Sequence, residues 1–231
     1  MNTSVTTGIK STPADLEGMM RTQYVLGNMK GLLSDQEIDY FCKPSEDLEA
    51  LIKLNILKAP MIENYIDHSV RPKEGEKKFI SYGLGPSSYD VRIGNKLKIF
   101  TNMRTLCIDP LNFDDDCYDV VESDTFFIIP AGSYALAVTK EKFNIPDFIT
   151  PICFGKSTYA RSGIIINPTE FSPGWSGEAV IEISNATPSP VMIYANQGIA
   201  TINFFHNNRC SKNYDVLGGK YQNQTGIQNP I

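Results

Sequence analysis

Histidine is scarce in this chain, with only His68 and His206 among 231 residues. The five cysteines, Cys42, Cys107, Cys117, Cys153 and Cys210, are widely spaced and form no CxxC pair. That usage argues against both a disulfide framework and a zinc site of ordinary spacing, and fits a reducing cytosol. Positive charge is also in short supply: 21 Lys and Arg against 26 Asp and Glu leave a net charge of -5. No basic field exists to hold a nucleic acid or an anionic membrane, so an anionic ligand must be met by a local cluster. Long apolar runs are missing too. No stretch approaches the roughly 18 residues that span a bilayer, and "MNTSVTTGIKSTPADLEG" has neither a basic n-region nor an apolar h-region. The expectation is a soluble, cytoplasmic protein with no membrane partner. Its length and 42% hydrophobic content suffice for one domain with a filled core.

Residues 1 to about 75 read as helical and loop-rich. "TPADLEGMMRTQYVLGNMKG" opens on a helix start signal, and "LSDQEIDYFC" sets Ser34 three residues before Glu37, a capping-box spacing. In "SEDLEALIKLNIL", Leu48, Leu51, Ile52 and Ile56 fall on one helical face. The charged "RPKEGEKKF" reads as an exposed loop, after which the pattern changes. "KLKIF", "DTFFIIPAGSYALAVT", "GIIIN", "EAVIEIS", "PVMIYA" and "GIATINFF" are short β-rich runs separated by turn residues. Strands at such spacing, without helical patterns between them, predict an all-β sandwich, jelly roll or distorted barrel. The tail "YDVLGGKYQNQTGIQNPI" is polar enough to stay disordered unless it closes over something.

Four stretches carry candidate chemistry. In "AVIEIS", strand alternation puts Glu182 on one face with Val180 and Ser184, and Ile181 and Ile183 on the other. Glu182 is then either a solvent-facing strand residue or a partly desolvated carboxylate that takes and returns a proton. "FGKSTYARSG" contains Gly-Lys-Ser but no P-loop, because Thr150 stands where the motif needs its first glycine. The stretch still concentrates the donors Lys156, Ser157, Thr158 and Arg161. It reads as a triphosphate or carboxylate grip, or as a solvated helix face. In "GGKYQNQTG" two glycines permit close backbone approach, and Lys220, Tyr221 and Gln224 either wrap phosphates or belong to a loose terminus. The run Asp114-Asp115-Asp116 reads as a solvated loop rather than a Mg²⁺ site, since consecutive carboxylates point apart on an extended chain. His206, after "NFF", reads as a strand-end histidine.

Taken together, "ISYGLGPSSYDVRIGN", "FIIPAGSYALAVT", "GKSTYARSGIIIN", "PGWSGEAVIEISN" and "GGKYQNQTG" resemble the dCTP deaminase family, related to the trimeric dUTP pyrophosphatases. The segments run in the family's order over residues 80 to 226. The resemblance implies a mainly β protein, a distorted β-barrel or jelly roll of the dUTPase-like type with an N-terminal helical segment. It also implies a homotrimer with active sites at subunit interfaces. Glu182 takes the place of the catalytic glutamate, the general base that activates water for attack on cytosine C4 of dCTP. Ser157 and Arg161 hold the water and the developing intermediate, and Lys156, Thr158, Lys220, Tyr221 and Gln224 contact the phosphates. These enzymes use no zinc, in keeping with a chain that lacks the H-x-E…P-C-x-x-C signature. Mg²⁺ rides on the triphosphate. The implied products are dUTP and ammonia, the dUTP feeding thymidylate synthesis.

Two departures bear on specificity. The segment before "PGWSG" usually carries an acidic residue in this family, whereas Ser172 stands here, which counts against a bifunctional enzyme that also cleaves dUTP. Where close relatives read Val-Thr-Pro, this chain reads Pro168-Thr169-Glu170, so a modified cytosine deoxynucleotide is an alternative substrate to dCTP. A catalytically silent nucleotide-binding trimer is the reading of another class, and the presence of Glu182, Ser157 and Arg161 argues against it. Residues 1–31 read as an extension preceding a catalytic unit of residues 32–231.

Overall fold

The computed structural model describes residues 31–100 and 108–230. The helix start expected in "TPADLEGMMRTQYVLGNMK" lies outside the described residues. Strand β1 (Gly31–Leu32) leads into helix α1 (Asp35–Cys42). The expected capping box forms there: the Ser34 hydroxyl accepts from the Glu37 N–H at 3.4 Å, and the Glu37 carboxylate accepts from the Ser34 N–H at 2.7 Å. Ser45 caps helix α2 (Glu46–Lys53) with its hydroxyl alone, accepting from the Leu48 N–H at 3.1 Å. Ile38, Phe41, Leu48 and Leu51 are buried, and Ile52 and Ile56 pack against the core beside them.

The strands that follow are β2 (Ile62–Glu63), β3 (Ser69–Val70), β4 (Tyr82–Leu84), β5 (Tyr89–Phe100), β6 (Tyr118–Glu122), β7 (Phe126–Ile129), β8 (Tyr134–Asn144) and β9 (Ile149–Gly155). A single-turn helix, α3 (Ser157–Ala160), separates these from β10 (Ile164–Ile166), β11 (Thr169–Glu170), β12 (Ser176–Asn185), β13 (Val191–Tyr194) and β14 (Gly198–His206). The main sheet is antiparallel and runs β10-β12-β8-β5-β14-β9-β11, while β7 and β13 form a separate ladder. It curls into a half-barrel until β10 lies against β9, where a Cβ on Gly155 would meet Ile166 at 3.4 Å. The mainly β reading therefore holds, with a curled, barrel-like sheet preceded by a short helical segment.

"YDVRIGN" and "KLKIF" merge into one twelve-residue strand, β5. Its first half pairs with β4 and β14, its second half with β6, and β8 runs along it with a register shift between Ile93 and Leu97. A bulge at that point bends the strand and lets one element serve both halves of the curled sheet. The interior holds Tyr89, Phe41, Phe127, Phe143 and Phe204, each at most 2% exposed. Fully buried Glu141 lies among them, satisfied by the Arg92 guanidinium at 2.7 Å and the Arg92 backbone N–H at 3.0 Å.

Candidate active site

Strand β12 lies between β8 and β10, with Glu182 opposite Leu136 of β8. The alternation read from "AVIEIS" is realised: Ile181 and Ile183 are buried, and Val180, Glu182 and Ser184 are half-buried on the other face. The Glu182 carboxylate accepts from the Asn167 amide at 3.2 Å and from the Thr169 hydroxyl at 3.3 Å. Asn167 sits on the link between β10 and β11 and Thr169 opens β11, and the Asn167 N–H donates to the Glu182 carbonyl at 3.1 Å to hold that link across the strand. The carboxylate is thereby oriented, with hydrogen bonds to one of its oxygens.

A cavity of about 410 Å³ adjoins Glu182, within the range of small-molecule sites. Phe100, Phe113, Tyr118 and Tyr134 wall one part, and Trp175 and Tyr214 another. Phe113 stacks on Tyr118 with ring centroids 5.4 Å apart, and Phe100 meets Tyr134 edge-on at 5.2 Å. Half-buried Tyr134 has its phenol pushed up to about 12 by burial and by the Glu182 charge. The Cys153 thiol is likewise pushed up to about 12, first by burial and then by Glu182.

The polar tail closes over this cavity. The Trp175 indole N–H donates to the Tyr221 carbonyl at 2.8 Å, and the Tyr221 N–H donates to the Tyr214 hydroxyl at 3.0 Å. Gln224 is buried, exchanging backbone bonds with β12 and donating its amide to the Glu178 carbonyl at 2.8 Å. Gly177 makes this approach possible: at φ 150 a Cβ there would come within 2.9 Å of the Gln224 backbone.

Of the eight residues singled out from sequence, the cavity brings together Glu182, Tyr221 and Gln224. Lys156, Ser157, Thr158, Arg161 and Lys220 are not among its walls. Lys156 is 8% exposed, and its ammonium pairs with Asp90, whose other oxygen accepts from Thr201 at 2.6 Å. Ser157 and Thr158 on α3 are exposed, as are Arg161 just after it and Lys220 on the tail. Tyr159 between them is buried and anchors the turn, its hydroxyl accepting from the Tyr194 N–H at 3.0 Å.

Sequence reasoning passed over Asn167 and Tyr134 beside the carboxylate and met Thr169 only as part of the Pro168-Thr169-Glu170 departure. Asn167 had a visible signal, a polar side chain immediately after the apolar "GIII" run. Tyr134 had none, because its nearness to Glu182 comes from the pairing of β8 with β12. Among the described residues no group of three or more His, Cys, Asp or Glu is placed to hold a metal ion. His206 ends β14 with its ring against Phe148, as its strand-end reading expects, and Asp114 and Asp116 are exposed.

A dCTP deaminase-like family model matches residues 56–207. The dCTP deaminase of Protochlamydia amoebophila is 47% identical over 176 residues, which is 76% of this chain and 93% of that protein. The dCTP deaminase of Anaplasma phagocytophilum is 47% identical over 181 residues, 78% of this chain and 95% of the relative. In fold, the chain is similar to the crystal structure of 2'-deoxycytidine 5'-triphosphate deaminase from Agrobacterium tumefaciens, with a TM-score of 0.51 at 16% identity. That match covers 83% of this chain and 52% of the other, so this chain spans about half of the solved one. A match of this extent to the family model, together with relatives at nearly half identity over three quarters of the chain, shows that the protein belongs to the dCTP deaminase-like family.

Proposed function

We propose that this protein is a dCTP deaminase that converts dCTP to dUTP and ammonia, with Glu182 as general base. The observation that carries the reading is the half-buried carboxylate of Glu182, oriented by Asn167 and Thr169 against a cavity closed by the tail. The two relatives named dCTP deaminase support the choice of substrate. A carboxylate in such a place takes a proton from water as the water oxygen bonds to C4 of cytosine, and returns one toward N3. The tetrahedral intermediate then collapses to the C4 carbonyl, its hydroxyl proton passing by way of the same carboxylate to the amino group, which leaves as ammonia. Excluding bulk water strengthens every charge interaction in this step. The apolar strand and the aromatic walls provide that surrounding.

The protein acts as a homotrimer in this reading, and each site is completed by a neighbouring copy. Ser157 and Arg161 lie exposed at α3, outside the walls of their own chain's cavity, available to hold the water and intermediate in an adjacent subunit. Lys156, Thr158, Lys220, Tyr221 and Gln224 contact the triphosphate, and Mg²⁺ arrives with the nucleotide, bound mainly by phosphate oxygens and water. No zinc takes part in the proposed chemistry. Ser172 stands where the family resemblance places an acidic residue, so dUTP is released intact and supplies thymidylate synthesis in the cytoplasm. Residues 1–31 form an extension to the catalytic unit of 32–231. Incubation of the purified protein with dCTP and Mg²⁺, assaying ammonia and pyrophosphate together, tests this. Ammonia with dUTP and no pyrophosphate is expected; pyrophosphate with dUMP makes the enzyme bifunctional, and no ammonia from any cytosine nucleotide overturns the reading.

A further inference from the structure

Tyr134 is a polar residue of the cavity, beside Glu182, to which the proposed mechanism assigns no work. It sits on β8 opposite Ser184, two residues along from the Leu136–Glu182 pair, so its side chain shares a face with Glu182 as a diagonal cross-strand neighbour. Both residues line the cavity. Phe100 fixes the ring edge-on at 5.2 Å, and Phe100 in turn holds Tyr118 at 4.2 Å, so the phenol stands on a rigid aromatic wall. Its hydroxyl makes no hydrogen bond among the described residues, although burial and the nearby carboxylate keep it protonated well above neutrality. The hydroxyl faces the cavity, so a ligand acceptor placed there takes over the hydrogen bond that water otherwise makes.

The position of Glu182 restricts which part of a ligand this hydroxyl can face. Asn167 and Thr169 approach the carboxylate from the β10 side of β12, and Tyr134 approaches from the β8 side. If Glu182 works at C4 of the pyrimidine and passes its proton toward N3, the other ring neighbour of C4 is C5. On the proposed deaminase reading, we propose that Tyr134 is a specificity-determining residue that reads the C5 edge of the pyrimidine and favours a hydrogen-bonding substituent there, of which hydroxymethyl is the simplest. Unsubstituted cytosine carries only a C–H at that edge and leaves the phenol without a partner. A 5-methyl group fills the same space without supplying one, which makes it the appropriate control.

The test compares ammonia release from dCTP, 5-methyl-dCTP and 5-hydroxymethyl-dCTP by the full chain and by Tyr134→Phe, which keeps the ring contact with Phe100. The full chain should use the hydroxymethyl nucleotide with a kcat/KM about tenfold above that of the methyl nucleotide, the usual discrimination from one hydrogen bond. In Tyr134→Phe that ratio should fall to about one, while a melting temperature close to that of the full chain shows the variant folded. Equal use of the two substituted nucleotides by the full chain, or a preference that survives in Tyr134→Phe, overturns the role of Tyr134 while leaving the deaminase reading intact. Ammonia from none of the three overturns both.

Discussion

Glu182 is the residue on which the proposed chemistry turns, and its neighbours indicate how substitution should act. Glu182→Gln keeps the shape and can still accept from Asn167 and Thr169, but an amide cannot take a proton from water. Deamination by this variant should fall at least a thousandfold, on the order of what a positioned general base contributes. Titration calorimetry with dCTP and Mg²⁺ should find nucleotide affinity within a few-fold of the parent. Activity near the parent level would show that another group is the base. Lys156 belongs to the same scale. Its ammonium is already paired with Asp90, so the phosphate contact proposed for it requires that pair to be shared or opened.

At the level of elements, β12 carries both the carboxylate and the seat of the tail. Gly177 is the point where they touch, and an alanine there meets the Gln224 backbone and also adopts a backbone conformation that L-residues avoid. Gly177→Ala should lift the tail from β12 and raise the KM for nucleotide by about tenfold, with a smaller effect on kcat; steady-state kinetics separate the two. A second element prediction concerns pH. Glu63 on β2 accepts from the Asn144 amide at 2.9 Å and pairs with Lys142 of β8 at 3.0 Å. The Asn144 hydrogen bond first, and Lys142 after it, hold this carboxyl below its ordinary value against the opposing effect of burial. Because the folded value is depressed, the contribution to stability is present above the ordinary carboxylate range near about 4.3 and is lost as pH falls through the folded value. Glu63→Gln should therefore unfold less steeply on the acid side. Acid titration of the fluorescence of Trp175, the chain's single tryptophan, reads this directly, and an unchanged acid limb would count against the pair.

For the whole molecule the consequential prediction is that a site needs two chains. Glu182→Gln lacks the base, and Arg161→Ala lacks the exposed guanidinium near α3. If these groups meet across a trimer interface, each variant alone is inactive. Co-refolding the two in equal amounts should restore about one quarter of the sites, since each half is intact with even odds. Light scattering on the same sample should give three times the mass of the 25.7 kDa chain. No recovery of activity in a mixed trimer would place both groups within one subunit.

The capping box at Ser34 and Glu37, the helical face of Leu48 and Leu51, and the alternation around Glu182 were legible in the sequence, because each depends on spacing within a few residues. The mainly β class was legible for the same reason, and the family resemblance pointed to Glu182 before any strand was paired. What the sequence left open was whether the polar tail stays loose, which side of the molecule α3 serves, and what stands next to the carboxylate. Those depend on contacts between residues far apart in the chain: Gln224 on Gly177, Thr169 on Glu182, Tyr134 beside it through β8. Only the tertiary structure decided them, because long-range register is set by the closure of the sheet and by the packing of its core, and no local periodicity encodes it.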